Sequence, residues 1–519
     1  MRSFGHDIRI AVRTLTRTPA FTLLAILTMA LGIGATTAIF SVVNGALLQR
    51  LPYAHDGRLI RLRQPSTNQA DEGFSVPEVA EYRAQVSDFA AVAEYHSMAF
   101  QLYGRGEPQR VQTGVVSDDF FSMLGVQPLL GRLFRPGEDA VGAPPVVVLS
   151  YRYWVDRMGA DPTVVGQTFT MNDKVHTIVG VLPPLPVYPD RNDIWMPAGA
   201  CPFRSAPAMM HDQAGRMLMA FALLKPGVSL ARARSDLTLV DQRIHAAYPA
   251  AYPAASGFGI RAASLHEELT RGSRPLFLTL LATAGFVLVV AAANFANLML
   301  ARQLRRRQEV ALRAALGAGR GRIFRQLAAE SLCITLPGGV LGVLIALSGM
   351  GLLRTFAARV TPRAGEIGID PVVLAVALGL SVVVGMAAAL APLMRAQPSL
   401  NHALREGSTA TTAGRRAGRG RDLLVAAQVA LAFVLLIGAG LMVRSLVMLQ
   451  RADAGYQAGG VLTARVDLNF TRYNSSARVH DFARQLLARL AGQRDVLSVA
   501  LTSDFPLNDA QPSAQPFEI

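Results

Sequence analysis

The chain is poor in cysteine, in lysine and in charge of any kind. Its two cysteines, Cys201 and Cys333, lie far apart. That excludes a disulfide scaffold and any metal site built on a cysteine cluster. The only lysines are Lys174, preceded by Asp173, and Lys225, preceded by Leu224. A Walker-type phosphate loop needs a glycine directly before its lysine, so these residues cannot bind ATP that way. No His-Glu-x-x-His is present, since His266-Glu267 is followed by Glu268, Leu269 and Thr270. Nor is there a Gly-x-Ser-x-Gly elbow, or a Gly-x-Gly-x-x-Gly after a strand. The adjacent acidic pairs Asp118-Asp119 and Glu267-Glu268 read as solvated caps rather than as paired catalytic carboxylates. The expectation is a non-enzyme with no catalytic, cofactor-binding or metal-binding residues of its own.

Charged residues make up 17% of the 519 residues, hydrophobic residues 51%, and mean hydropathy is +0.30. Soluble domains carry roughly 25% charged residues, and disordered chains carry still less apolar surface. A membrane protein is the class that remains. A spanning helix needs about 20 mostly apolar residues, and five stretches qualify: 21–47, 276–300, 327–353, 372–394 and 423–447. The first exceeds the 7–15 residues of a signal-peptide core and reads as an uncleaved anchor. Glycines such as Gly32, Gly34, Gly338, Gly339, Gly342, Gly438 and Gly440 suit close helix packing in lipid. Asn294 and Asn297, one turn apart, are expected to hydrogen-bond between helices.

The net charge of +15 is not spread evenly. Residues 1–20 hold Arg2, Arg9, Arg13 and Arg17. Residues 301–326 hold eight arginines, from Arg302 to Arg325, and residues 395–422 hold six, from Arg395 to Arg421. With Asp7, Glu309, Glu406 and Asp422, and with Glu330 just past 326, these segments carry +13 of the total. The positive-inside rule then puts all three in the cytoplasm, and residues 48–274 and 448–519 outside. The arginines flank apolar spans and lack interleaved aromatics, so they are not read as a nucleic-acid surface.

Residues 48–274 have the composition of a soluble α+β domain, expected to have two lobes. Strand-like runs occur at 58–63, 145–149, 175–182 and 218–224, with helices at 76–85 and after Ser229, where Leu230, Ala233, Leu237, Val240 and Ile244 fall at helical spacing. After the fifth stretch, 461–468 reads as a strand and 479–490 as a helix.

The run Arg307-Gln308-Glu309-Val310-Ala311-Leu312-Arg313-Ala314-Ala315-Leu316-Gly317-Ala318 resembles the cytoplasmic signature of FtsX/MacB-like ABC transporter permeases. Ile323, Gln326 and Glu330-Ser331-Leu332 continue the match. In the external region, 116–126, Gly131-Arg132-Leu133-Phe134, Leu149-Ser150-Tyr151 to Trp154, 179–183 and 193–197 are similar to the periplasmic core domain of that family. The resemblance implies an α-helical integral membrane protein with an α+β extracytoplasmic domain, MacB-like, inserted between spans one and two. It implies a coupling role for Glu309, Arg313, Ala315, Gly317 and Ala318, which would dock on a separate ABC ATPase subunit. ATP would bind that partner and no cofactor would bind this chain. The other implied partners are a second copy or second permease half, a periplasmic adaptor and membrane lipids, in a bacterial inner membrane with a cytoplasmic amino terminus. The function implied is mechanotransmission in an export or efflux system. The alternative is an FtsX-like regulator of an external enzyme that transports nothing. Leu449-Gln450-Arg451 ends the fifth span as Leu48-Gln49-Arg50 ends the first, which resembles the duplicated, eight-span branch. The second external domain is then expected to be incomplete in this chain, with three further spans missing.

Overall fold

A computed structural model describes residues 2–103, 108–305, 319–395, 413–451, 460–469, 472–473 and 475–502. The chain forms two compact units. One comprises Met1–Leu51, Pro186–Tyr188 and Leu265–Val461. The other comprises Pro52–Leu185, Pro189–Ser264 and Leu462–Ile519.

The first unit begins with a helix over Arg2–Thr16. Five helices then hold segments long and apolar enough to cross a membrane: Pro19–Leu48, Arg274–Gln303, Gly321–Ala357, Pro371–Leu390 and Gln428–Leu449, called spans one to five. The last five residues of span one, Asn44–Leu48, wind as a π-helix. Helical backbone does not stop where apolar sequence stops, so the helix of span five starts at Ala413, inside the segment read from sequence as linker. Spans one and three approach backbone to backbone. A Cβ on Gly34 would lie 2.9 Å from the carbonyl oxygen of Gly342, which only glycine allows. Between spans one and two the polar tie comes from a residue the sequence did not flag. Thr36 Oγ1 donates to Gly32 O at 2.9 Å and reaches Ala284 O at 3.2 Å. Asn294 is exposed and Asn297 half-buried, and neither bonds across the bundle among the described residues. Gly438 and Gly440 face open space, and span five leaves its side chains largely exposed.

The second unit is built on one ten-stranded sheet. Its strands are β1 (Leu59–Arg63), β2 (Phe89–Tyr103), β3 (Gln109–Val116), β4 (Leu130–Gly131), β5 (Val146–Leu149), β6 (Thr168–Met171), β7 (Lys174–Val181), β8 (Ile194–Pro197), β9 (Met219–Leu224) and β10 (Arg261–Ser264). The order is β10-β1-β9-β2-β3-β8-β5-β7-β4, with β6 pairing β2 and β7. Pairs β3–β8 and β5–β7 are parallel and the rest antiparallel. Two separate cores form on this sheet. One lies under the helices Val76–Gln85 and Leu230–Ala247, with Val79, Tyr82, Leu237, Val240 and Ile244 packed on β1, β2 and β9. The other gathers Phe100, Val111, Val115, Val147, Ile178, Ile194 and Cys201. The Val76–Gln85 helix starts on a capping box, where Ser75 accepts from Glu78 N and Glu78 accepts from Ser75 N. Ser229 likewise caps Leu230–Ala247 by accepting from Arg232 N.

Strands β2 and β3 carry no clean alternation in sequence, because Glu94 and His96 occupy buried positions of β2. Residues 461–468 form no strand. A strand needs a ladder partner, and this stretch is held by side chains instead. Arg110 Nε meets Asp467 Oδ2 at 2.7 Å, Asn469 Nδ2 meets Asp173 Oδ2 at 2.8 Å, and Arg472 pairs with Asp173 at 3.0 Å.

Two buried histidines make the second unit sensitive to acid. Burial holds His96 down to about 3. Burial also holds His176, whose ring stacks on Phe169, down to about 4. Both are neutral in the fold, while an unfolded histidine takes up its proton near 6.5. The unfolded chain therefore binds more protons below that pH, and stability should fall as pH drops from 6.5 toward 4. The His176→Gln chain should lose less melting temperature over that window. Parallel melting curves for the two chains across pH would show that His176 does not contribute.

Candidate functional site

Glu309, Arg313, Ala315, Gly317 and Ala318 lie outside the described residues. The two shoulders of that segment are described, and both rest on the helix Arg2–Thr16. On this helix Asp7, Ala11 and Leu15 recur every fourth residue and face inward, with Ala11 and Leu15 buried. At the end of span two, Arg302 Nη2 donates to Thr14 O at 3.1 Å, and its guanidinium lies 4.8 Å from the ring centre of Phe21. At the start of span three, Arg325 Nε donates to Asp7 Oδ2 at 2.6 Å. Gln326 Nε2 reaches Glu330 Oε1 one turn on, at 3.5 Å, and Glu330 is buried. Ile323, Phe324, Leu327 and Ala328 pack with Met386 and Ala389 of span four. Thus the downstream part of the motif opens the helix of span three, locked to both span four and the amino-terminal helix. Sequence reasoning treated residues 1–20 as a charged tail. The fourfold spacing of Asp7, Ala11 and Leu15, ahead of Thr18-Pro19, was the signal that could have found this helix.

The opposite end of the bundle holds a second constellation that the sequence did not reveal. Arg363, in the connection between spans three and four, has no exposed surface. Its Nη1 donates to Ala46 O at 3.2 Å, and its Nη2 donates to Gln49 O at 2.8 Å and Arg50 O at 3.2 Å. Glu366 Oε2 balances the charge at 2.6 Å. Seven residues after Arg363, Asp370 accepts from Asn44 Nδ2 and Gln49 Nε2, each at 2.7 Å, and from Val373 N at 2.8 Å. The connection presses close: a Cβ on Gly45 would lie 2.8 Å from Glu366 O. His266 Nε2 stands 3.0 Å from Leu47 O. One short connection therefore binds the carboxyl end of span one and caps the start of span four.

Among the described residues no three His, Cys, Asp or Glu side chains are grouped to hold a metal. A cavity of about 540 Å³ in the second unit is lined by Arg110, Arg152, Arg157, Asp156 and Asp193, with Gln109 and Tyr153. Its charges largely cancel, since Arg152 pairs with Asp193 at 2.6 Å and Arg110 with Asp467.

Replacing Arg363 by methionine keeps its bulk but strips donors from three carbonyls and leaves Glu366 alone. Breaking a buried ion pair costs about 3–5 kcal/mol. The Arg363→Met chain should unfold in detergent well below the parent, and Arg363→Lys should recover only part, because one ammonium cannot fork among these acceptors. A melting temperature within a degree or so of the parent would show the clamp to be dispensable.

Comparison with known proteins agrees with this layout. Residues 22–240 match the MacB-like periplasmic core domain and residues 281–397 match the FtsX-like permease C-terminal family. The macrolide export ATP-binding/permease protein MacB of Sodalis glossinidius is 22% identical over 371 residues, covering 69% of this chain and 54% of that protein. MacB of Rhodospirillum rubrum is 26% identical over 363 residues, covering 67% of this chain and 52% of its own length. The uncharacterized ABC transporter permease YknZ of Bacillus subtilis is 38% identical over 74 residues, 14% of this chain and 19% of YknZ. The chain thus spans about half the length of the MacB relatives it matches. With an α+β domain lying between the first two of several long apolar helices, and with both family matches in their expected order, the chain is a multi-pass membrane protein belonging to the FtsX/MacB-like ABC transporter permeases.

Proposed function

We propose that the chain couples ATP hydrolysis on a separate ABC ATPase subunit to motion of its extracytoplasmic domain, as the permease of an export or efflux-type system. The observation that carries this reading is the grip of one helix, Arg2–Thr16, on both shoulders of residues 303–319. A push on that segment reaches spans two and three together and, through the same helix, span one. Span one leads directly into the external domain along the chain. The names of the MacB relatives join ATP binding to permease. These 519 residues hold no Gly-Lys step, so ATP belongs to the partner. The docking element is Glu309–Ala318, with Glu309 and Arg313 forming charge pairs and Ala315, Gly317 and Ala318 fitting a cleft. A second permease copy or half, a periplasmic adaptor and membrane lipids complete the assembly, and nucleic acid has no part. The arginine-rich segments orient the chain in a bacterial inner membrane with its amino terminus in the cytoplasm.

Two measurements test this reading. Reporter fusions after Gln64 and Gln457 should report outside, and one after Arg415 inside; an inside result at Gln64 reverses the orientation.

The second measurement is association with a separate ABC ATPase subunit co-expressed with this chain. Like-charge juxtaposition at an interface costs several kcal/mol, and 1.4 kcal/mol is tenfold in affinity. Glu309→Arg should therefore weaken co-purification at least about tenfold. Gly317→Trp should do the same, while membrane fractionation stays normal because the other arginines persist. Unchanged association and unchanged ATPase stimulation in both variants would reduce the segment to a topology signal.

A further inference from the structure

We propose that His96, Met98 and Cys201 form a binding site for one soft monovalent cation, Cu(I) or Ag(I), inside the external domain. Alternation along β2 places His96 and Met98 on the same face of the strand. Cys201 follows the turn Ala198–Ala200 that closes β8. Its Sγ lies 3.6 Å from His96 Nε2 and 3.5 Å from Met98 Sδ. Bonds from a d¹⁰ ion to nitrogen and sulfur run about 2.0–2.3 Å, and three such ligands in a plane stand roughly 3.5–4.0 Å apart. The nitrogen–sulfur separation lies within that range, while two sulfurs on bonds of about 2.3 Å stand roughly 4.0 Å apart, so Cys201 and Met98 would part by about half an ångström.

The cluster is poorly served without an ion. Cys201 has no exposed surface and His96 is 5% exposed. Cys201 Sγ meets a ring nitrogen and a thioether sulfur at once. His96 Nδ1 has no hydrogen-bond partner among the described residues. The backbone N–H of Arg204 points at Cys201 Sγ from 3.5 Å, and such bonds to a ligand atom orient and tune it. The Arg204 guanidinium is turned away into a two-pronged pair with Glu94, at 2.7 and 2.9 Å, so it does not present a free charge to the site.

Charge selects the ion. Binding replaces the thiol proton: the S–H bond breaks, a sulfur–metal bond forms, one proton leaves to solvent, and the imidazole and thioether each donate a lone pair. A thiolate with a monovalent cation is neutral. A divalent ion would leave a net charge buried in this core, which is costly without a partner. Thiolate and thioether ligands favour Cu(I) in any case, and no carboxylate is present to favour a hard ion.

The test uses the full chain in detergent with Cys333→Ser, so that Cys201 is its one thiol. Titration with Ag(I), and with Cu(I) held by a competing chelator without oxygen, should give one equivalent bound, an ultraviolet sulfur-to-metal band and one proton released per ion. Cys201→Ser should abolish all three. A hydroxyl in this core lowers stability by itself, so the deciding variant is Met98→Leu, which keeps volume and apolarity but loses the thioether. Its affinity should fall at least about tenfold with the near-ultraviolet dichroism of the fold intact. No ion retained by the parent against the chelator, or equal affinity in the Met98→Leu chain, would overturn the assignment and leave the cluster as core packing.

Discussion

The carboxyl end of span one sets the strictest demand in the membrane unit. The last carbonyls of a helix have no partner within it, and at a membrane boundary water cannot be relied on to supply one. Here the π-turn Asn44–Leu48 and the two residues after it present those carbonyls together, and Arg363 answers three of them from a single planar group. Arginine suits the task because its donors are fixed in a planar fork. Glu366 makes the burial affordable. Asp370 then takes the two side-chain amides of the same turn and caps span four with its other oxygen. The connection between spans three and four is thus a clasp rather than a mere loop.

Between the two ends, the bundle relies on shape more than on polar bonds. Lipid tails are as apolar as leucine, so helices gain little from apolar contact alone, and close backbone packing has to supply the attraction. Gly34 against Gly342 provides it between spans one and three. At the far end two arginines make tertiary contacts. Arg302 and Arg325 tie the amino-terminal helix to spans two and three, so the segment between them is mounted on a braced base. A clasp at one end and a brace at the other leave span one as a rod held at both tips.

The external unit solves a different problem, that of polar residues inside a large sheet. Glu94 in the middle of β2 would be intolerable unpaired, and Arg204 holds it with two bonds. Tyr95 donates to Asp190 at 2.8 Å, and Asn192 donates to Tyr95 at 3.0 Å. These networks fix the loops between β7, β8 and β9 to the centre of the sheet. They also bring Cys201 against His96 and Met98.

The sequence by itself determined the membrane class, the five spans and the segregation of charge, because these are properties of runs of residues and survive without knowledge of neighbours. It also determined β1, β5, β7 and β9 and the two long helices of the external unit, where pattern and caps are local. The motif around Glu309 was equally legible, although the structure describes only its shoulders. What sequence could not show were contacts between distant residues. Strand β2 was hidden because Glu94 and His96 break its alternation, and only Arg204, more than a hundred positions on, explains the burial of Glu94. Residues 461–468 looked like a strand and are not one, since pairing depends on a free edge elsewhere. Nothing in the sequence sets Arg363 apart from the other arginines. Only the tertiary fold, by placing three bare carbonyls around it, made it the residue that closes the end of span one.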